Sequence, residues 1–305
     1  MASRGAGWFT VFIANRLRIS HRAGVAMGGL NRSVLVWLFV AAVVSGCGGG
    51  ESTGQSPQQK SDASKGTASE STLPDGAEKL VGRWAHYDVV AYEDVSMKTL
   101  IISTGFADIE MRDGELWNRM RFCHADMANN QKLNITMSDA ATSAIVPIDT
   151  VLNLDEANGS LQVNRPATPT GIGIKLADPA NEKLPTDPAD PRIFDADGDG
   201  KPGVTSSIGL ADGSTGEIYI ARREIFEYNL TQESPDELVG AITDSSEQLV
   251  VGANNPVFLA QSQWKQIEDP QRNPVIWKRV DSTWDCARLA SERAALFPPQ
   301  PEVDW

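Results

Sequence analysis

The chain has little histidine and little cysteine, three of each in 305 residues, and none of the short signatures through which those side chains do chemistry. It contains no C-x-x-C and no H-E-x-x-H, which argues against a metal or catalytic role for either residue type. There is no G-x-S-x-G, no P-loop and no G-x-G-x-x-G leading into a helix; Gly171-Ile172-Gly173 is only a fragment inside a Pro-rich stretch. Long apolar runs are missing as well: Val34 to Val44 is eleven residues, too short to cross a bilayer. Positive charge is scarce, with 27 basic residues against 40 acidic ones. Such a surface repels phosphate backbones, which excludes nucleic acid as a partner, and lacks the basic clusters that hold proteins on anionic lipid.

What is present begins at that apolar run. Arg16, Arg18, Arg22 and Arg32 precede it, Ser45-Gly46-Cys47 follows it, and a Gly/Ser/Gln-rich tract comes next. A basic lead, an apolar run and small residues at a cut site describe a secretory signal over residues 1–46, with Met27 a more ordinary start than Met1. With cysteine directly after the cut, Val44-Ser45-Gly46-Cys47 resembles the lipobox of bacterial lipoproteins. The resemblance implies lipidation of Cys47, cleavage before it, and attachment to the membrane through the acyl chains. Gly48 and Gly49 lack the Asp that retains some lipoproteins at the inner membrane, so it also implies the outer membrane of the cell envelope. Removing residues 1–46 takes away five arginines and leaves 22 basic against 40 acidic residues, a net charge near −18. In an exported protein the two remaining cysteines, Cys123 and Cys286, most simply form one disulfide. His124 beside Cys123 then has no thiolate partner for nucleophilic chemistry.

Residues 47–79 carry almost no large apolar side chain, and such a segment cannot bury enough surface to offset its ordering entropy. It reads as the lipidated cysteine followed by a disordered tether. Residues 80–297 are long enough for one domain with a substantial core, leaving 298–305 as a tail. That domain is expected to be mainly β, an antiparallel meander closed as a barrel or stacked as a sandwich. Trp84 to Tyr92 alternates, and so do the runs around Leu100, Ile135 and Leu161. Asp113-Gly114 and Asn158-Gly159 stand between alternating runs, the strongest short signal for a hairpin. Later strands are expected over 217–230, 238–243, 248–251, 257–267 and 275–280. A single C-terminal helix is expected, with Ser282-Thr283-Trp284-Asp285 as its capping box and Pro298-Pro299 as its stop.

The meander, the Gly82-Arg83-Trp84 lead into the first strand and the helix after the last strand resemble the lipocalin and calycin pattern. The resemblance implies a barrel whose closed end is plugged by Trp84, with Arg279 packed on that indole as the late-strand arginine. No T-D-Y-like motif accompanies it, and the runs outnumber the eight strands of that family.

One constellation carries chemistry. Residues 164–203 interrupt the β pattern with seven prolines and enclose Asp195-Ala196-Asp197-Gly198-Asp199-Gly200-Lys201. Asp at positions 1, 3 and 5 with Gly at 6 is similar to the first half of an EF-hand calcium loop, where alternate carboxylates converge on a hard cation. Asp195, Asp197, Asp199 and the Lys201 carbonyl are the expected ligands, with calcium as cofactor. Position 8 is Pro202 and position 12 is Ser206 rather than Glu, so further ligands must come from Asp187, Asp190, Asp212 or water. Taken together, the reading is a cell-envelope lipoprotein whose calcium-stabilised β domain binds a small apolar ligand or an envelope partner. The alternatives are a structural or adhesive surface lipoprotein, and a hydrolase without a recognisable motif.

Overall fold

Alternating side chains over most of residues 82–280 build one sheet of fifteen antiparallel strands curled into a half-barrel, seen in a computed structural model. The structure describes residues 73–305 except 96, 211–212, 260–263 and 304, so the signal segment, Cys47, most of the tether and Asp212 lie outside the described residues. The first three strands are long and consecutive: β1 (Gly82–Glu93), β2 (Lys98–Arg112) and β3 (Glu115–Asn129). Then come β4 (Asn134–Met137), the short helix α1 (Asp139–Ser143), β5 (Ile148–Val151), β6 (Asn153–Ala157), β7 (Ser160–Arg165) and β8 (Thr170–Ile172). The second half holds β9 (Val204–Gly209), β10 (Thr215–Glu224), β11 (Phe226–Ser234), β12 (Glu237–Asp244), β13 (Glu247–Ala253), β14 (Lys265–Gln266), β15 (Pro274–Val280) and helix α2 (Cys286–Leu296).

The half-barrel runs β3-β2-β1-β15-β12-β11-β7-β6. Its two flanks are bridged by one ribbon. β5 pairs with the first half of β3, Leu152 donates its N–H to the Leu116 carbonyl at 2.8 Å, and the chain continues as β6 to pair with β7. The strands beyond this circuit explain why the runs exceed eight. β4 pairs with the far half of β3, and β9, β10 and β13 extend from it, with β8 on β10, as a side lobe.

Three cores follow from this layout. Trp84, Trp277, Tyr228 and Leu238 fill the inside of the half-barrel. Ala85, Tyr87, Val89 and Phe106 lie on the opposite face, covered by Leu289 and Phe297 at the α2 end. The lobe closes over Ala141, Ile172, Val204, Ile220 and Val250. β1 is therefore buried on both faces, so the alternation of its sequence is not matched by an exposed face.

Both tight hairpins form with positive φ at both central residues, 51° and 84° at Asp113-Gly114 and 55° and 77° at Asn158-Gly159. Other expectations are corrected. α1 is a second helix, capped by Ser138, whose hydroxyl accepts from the Ala141 N–H at 3.0 Å. Helix α2 starts later than the expected box, with Asp285 as its cap accepting from Arg288 N–H at 2.8 Å; Asp281 instead holds Ser282 to Trp284 in a turn. The run at 217–230 breaks at Ile225 into β10 and β11, and among the described residues of 257–267 only β14 is a strand, since Asn255-Pro256 starts a tight helical turn. Ala77 and Leu80 are already buried in the barrel core, and Trp305 packs at the α2 face under Arg272, 4.3 Å from its ring. Both ends of the domain thus reach past the expected 80–297. A disulfide links Cys123 of β3 to Cys286 of α2, with a Cα–Cα distance of 5.4 Å, within the usual range.

Candidate functional site

The Pro-rich stretch leaves β7, returns as β8 and is tied down twice before β9, by bridges between Ile174 and Ile193 and between Asp195 and Gly203. The second bridge closes the acidic loop. Gly203 N–H donates to the Phe194 carbonyl and Ala196 N–H to the Gly203 carbonyl, both at 2.9 Å. Gly203 has φ +84°, and a Cβ there would sit 2.3 Å from the Ile220 carbonyl oxygen, so only glycine lets the loop lie this close to β10.

Within the loop Asp195 accepts backbone N–H groups from Gly198 (2.7 Å), Gly200 (2.8 Å) and Asp199 (3.3 Å). Asp197 accepts the Thr205 N–H at 3.0 Å, and Asp199 accepts the Lys201 N–H at 2.9 Å and the Thr205 hydroxyl at 2.5 Å. One carboxylate oxygen from each aspartate lies within 4.8 Å of the others. Three such acids are expected to repel one another, but the Gly200 N–H, joined by those of Gly198 and Asp199, holds Asp195 below the usual carboxylate range. Lys201 sends its ammonium to Glu217 at 2.6 Å, with Asp199 at 3.8 Å. That contact raises the lysine and lowers the glutamate. Of the further ligands expected, Asp190 is committed to Arg192 at 2.9 Å, which pulls it below its ordinary value, and Asp187 accepts the Ala189 N–H at 2.9 Å.

A second polar group lies inside the protein, where sequence reasoning did not place one. The inward residues of β1 are Trp84, His86, Asp88, Val90 and Tyr92. His86 and Asp88 are 0 % and 2 % exposed. Nε2 of His86 lies 3.1 Å from the Arg121 carbonyl, which can only accept, so Nε2 carries a proton. Nδ1 lies 2.9 Å from Asp88 Oδ2 without the alignment of a hydrogen bond. Gly105, opposite His86 on β2, makes room for this reach: a Cβ there would stand 2.4 Å from Nε2 and 2.1 Å from the Arg121 oxygen. Tyr228 donates its hydroxyl to Asp88 Oδ2 at 3.3 Å, and buried Arg165 lies 5.4 Å from the Tyr228 ring while donating to the Phe226 carbonyl at 2.8 Å.

Arg222 and Glu224 of β10 are also buried, with Nε and Oε1 3.2 Å apart, and Tyr92 donates its hydroxyl to Asp244. Burial pushes the Glu224 carboxyl up to about 7 against the pull of Arg222. Burial works against the Arg222 charge, yet Glu224, Tyr92 and Asp244 outweigh it and hold the guanidinium protonated. Burial raises both Tyr92 and Tyr228 well above the ordinary phenol value. Between these groups, at the seam of barrel and lobe, is a cavity of about 50 Å³. Asp88, Phe122, Phe226 and Tyr228 line it from the barrel side, Glu224 from β10 of the lobe, and Met137 and Ile145 from the α1 side. His86 and Asp88 stand two apart on one strand face, a signal that sequence reasoning left unused. The remote Glu224 left no local signal.

At the barrel end, the Arg279 guanidinium lies 4.2 Å from the centre of the Trp84 ring and donates to the Val81 carbonyl at 3.0 Å and to the Lys79 carbonyl. No described helix is long and apolar enough to cross a membrane. Comparison of this chain with protein-family models, with curated proteins and with solved structures gives no match.

Proposed function

We propose that this chain is a lipid-anchored protein of the cell envelope, held in the outer membrane by Cys47, whose β domain is a calcium-stabilised binding module rather than an enzyme. The observation that carries the reading is the convergence of Asp195, Asp197 and Asp199 within 4.8 Å, on a loop pinned to β10 through Gly203. Calcium takes six to eight oxygen ligands. Three carboxylates and the Lys201 carbonyl begin such a set, and water completes it. Ser206 stands where an EF-hand has its bidentate Glu, and it is buried on β9. The affinity expected without that ligand is in the ~10⁻⁴–10⁻³ M range of extracellular modules. The Cys123–Cys286 bond supports an oxidising compartment.

The inside of the half-barrel is filled by Trp84, Trp277 and Tyr228, and the seam cavity of about 50 Å³ is too small for an acyl chain. This favours an envelope protein docked on the outer surface over a small apolar ligand in a lumen. Calorimetric titration with calcium tests the metal. Tenfold excess over Kd stabilises the fold by about 1.4 kcal/mol, a rise in melting temperature of about 3–6 °C. Asp197→Ala and Asp199→Ala abolish the rise, and magnesium substitutes poorly because it demands stricter geometry. A wild-type melt that ignores calcium, with no heat of binding, overturns the reading.

A further inference from the structure

We infer that the cavity between half-barrel and side lobe is a binding site for a small primary ammonium, its head held by Asp88 and Glu224. The inference is independent of the calcium loop. Two carboxylate oxygens at this one cavity, Asp88 Oδ1 and Glu224 Oε2, are buried and have no hydrogen-bond partner among the described residues. Leaving a buried acceptor unmet costs about 1–3 kcal/mol, and more when it is charged. The sister oxygens already have neighbours: Asp88 Oδ2 accepts from Tyr228, and Glu224 Oε1 lies 3.2 Å from Arg222 Nε. Arg222 Nε, on the same cavity, also lacks an aligned partner, but it already lies 3.2 Å from Glu224 Oε1, so the two free oxygens leave the cavity short chiefly of donors. An alkylammonium offers three N–H donors and no acceptor. A carboxylate or phosphate ligand brings only more acceptors, and a hydrocarbon leaves both oxygens unmet.

Charge points the same way. Of the described residues that line the cavity, two are carboxylates, Asp88 and Glu224, and one is a guanidinium, Arg222. The walls suit the rest of such a ligand, since Phe122, Phe226 and Tyr228 present aromatic surface beside Met137 and Ile145. Aromatic faces attract a cation, and apolar walls take its short alkyl part. The size limits that part to a few heavy atoms. Asp88 is held by built structure, because Tyr228 donates to its Oδ2 and His86, given room by Gly105, packs against it.

The groups facing Glu224 are Arg222 on its own strand, Asp244 on β12, Asp88 and Tyr92 on β1 and Tyr228 on β11. With the carboxyl poised near 7, the cation binds more tightly above that pH than below it.

The test uses the full-length chain and compares ethylammonium, ethanol and acetate by calorimetry and thermal shift at matched ionic strength. Ethylammonium gives saturable binding that weakens from pH 8 to pH 6, while ethanol and acetate give none. Asp88→Asn and Glu224→Gln, close in shape to the originals, each weaken it at least tenfold, and Glu224→Gln also removes the pH dependence. The comparison of the three probes on wild type stands even if a variant fails to fold. No saturable ethylammonium binding, or acetate binding as well, overturns the inference.

Discussion

At the scale of single residues, Gly105 is among the most tightly constrained positions. A methyl there meets the Arg121 backbone oxygen at 2.1 Å and His86 Nε2 at 2.4 Å, and a backbone atom cannot swing aside. Gly105→Ala must therefore part β2 from β3 or expel the imidazole. The expected loss is about 1–3 kcal/mol or more, the usual range for overpacking, read as a lower urea midpoint. A midpoint equal to wild type would show that the strands give without cost. Glu224 supplies a second residue-scale prediction. Its carboxyl is raised in the fold to about 7 from 4.5. The folded state thus binds more protons than the unfolded chain between those values, and the stabilising contribution is present below about 4.5 and lost as pH rises through 7. Glu224→Gln should flatten that part of the stability profile in pH-dependent denaturation. An identical slope in the variant would assign the loss to other groups. Only one of the two polar sites was legible in the sequence. Asp195, Asp197 and Asp199 lie within five residues, so spacing alone brings them together. Asp88 and Glu224 are joined only by strands far apart in the chain, and no local pattern records that.

At the scale of elements, the hairpins were the easiest to read, because the backbone of a two-residue turn demands positive φ and Asp113-Gly114 and Asn158-Gly159 supply it. The short helix α1 was illegible, since five residues give no periodicity and its only mark is the Ser138 cap. α2 was legible as a helix but not at its first residue, where Asp285 outcompetes Ser282 once Asp281 has folded the intervening turn. This helix is also where the disulfide acts. Cys123 and Cys286 are 163 residues apart, and on the chain-entropy model cross-linking a loop of that length stabilises by about 5 kcal/mol, with measured values often lower. Only Leu289 of α2 is fully buried, so the helix has little packing of its own to fall back on. Replacing both cysteines with serine should lower the melting temperature and raise hydrogen exchange first in the amides of 286–296. Exchange that increases evenly over the whole sheet would mean that the bond stabilises the fold globally and not through α2.

At the scale of the whole molecule, charge and attachment pull against each other. With residues 1–46 removed the chain carries a net charge near −18, and an anionic bilayer repels a protein of that sign. If the protein sits on a membrane, the free energy must come from burying hydrocarbon, and two or more acyl chains are enough for stable anchoring. The proposed anchor is Cys47, which lies outside the described residues. Salt separates the two kinds of attachment. About 1 M salt shortens the screening length to roughly 3 Å and strips proteins held by charge, but leaves a buried acyl chain in place. Wild-type protein should therefore stay in the membrane fraction through a high-salt wash and incorporate labelled palmitate. Cys47→Ser should take up no label and leave the membrane even at low salt, since the acidic domain has nothing else to hold it there. Label still entering the substituted protein would place the acyl group on another residue, and release of wild type by salt alone would trace the attachment to a charged partner on the membrane.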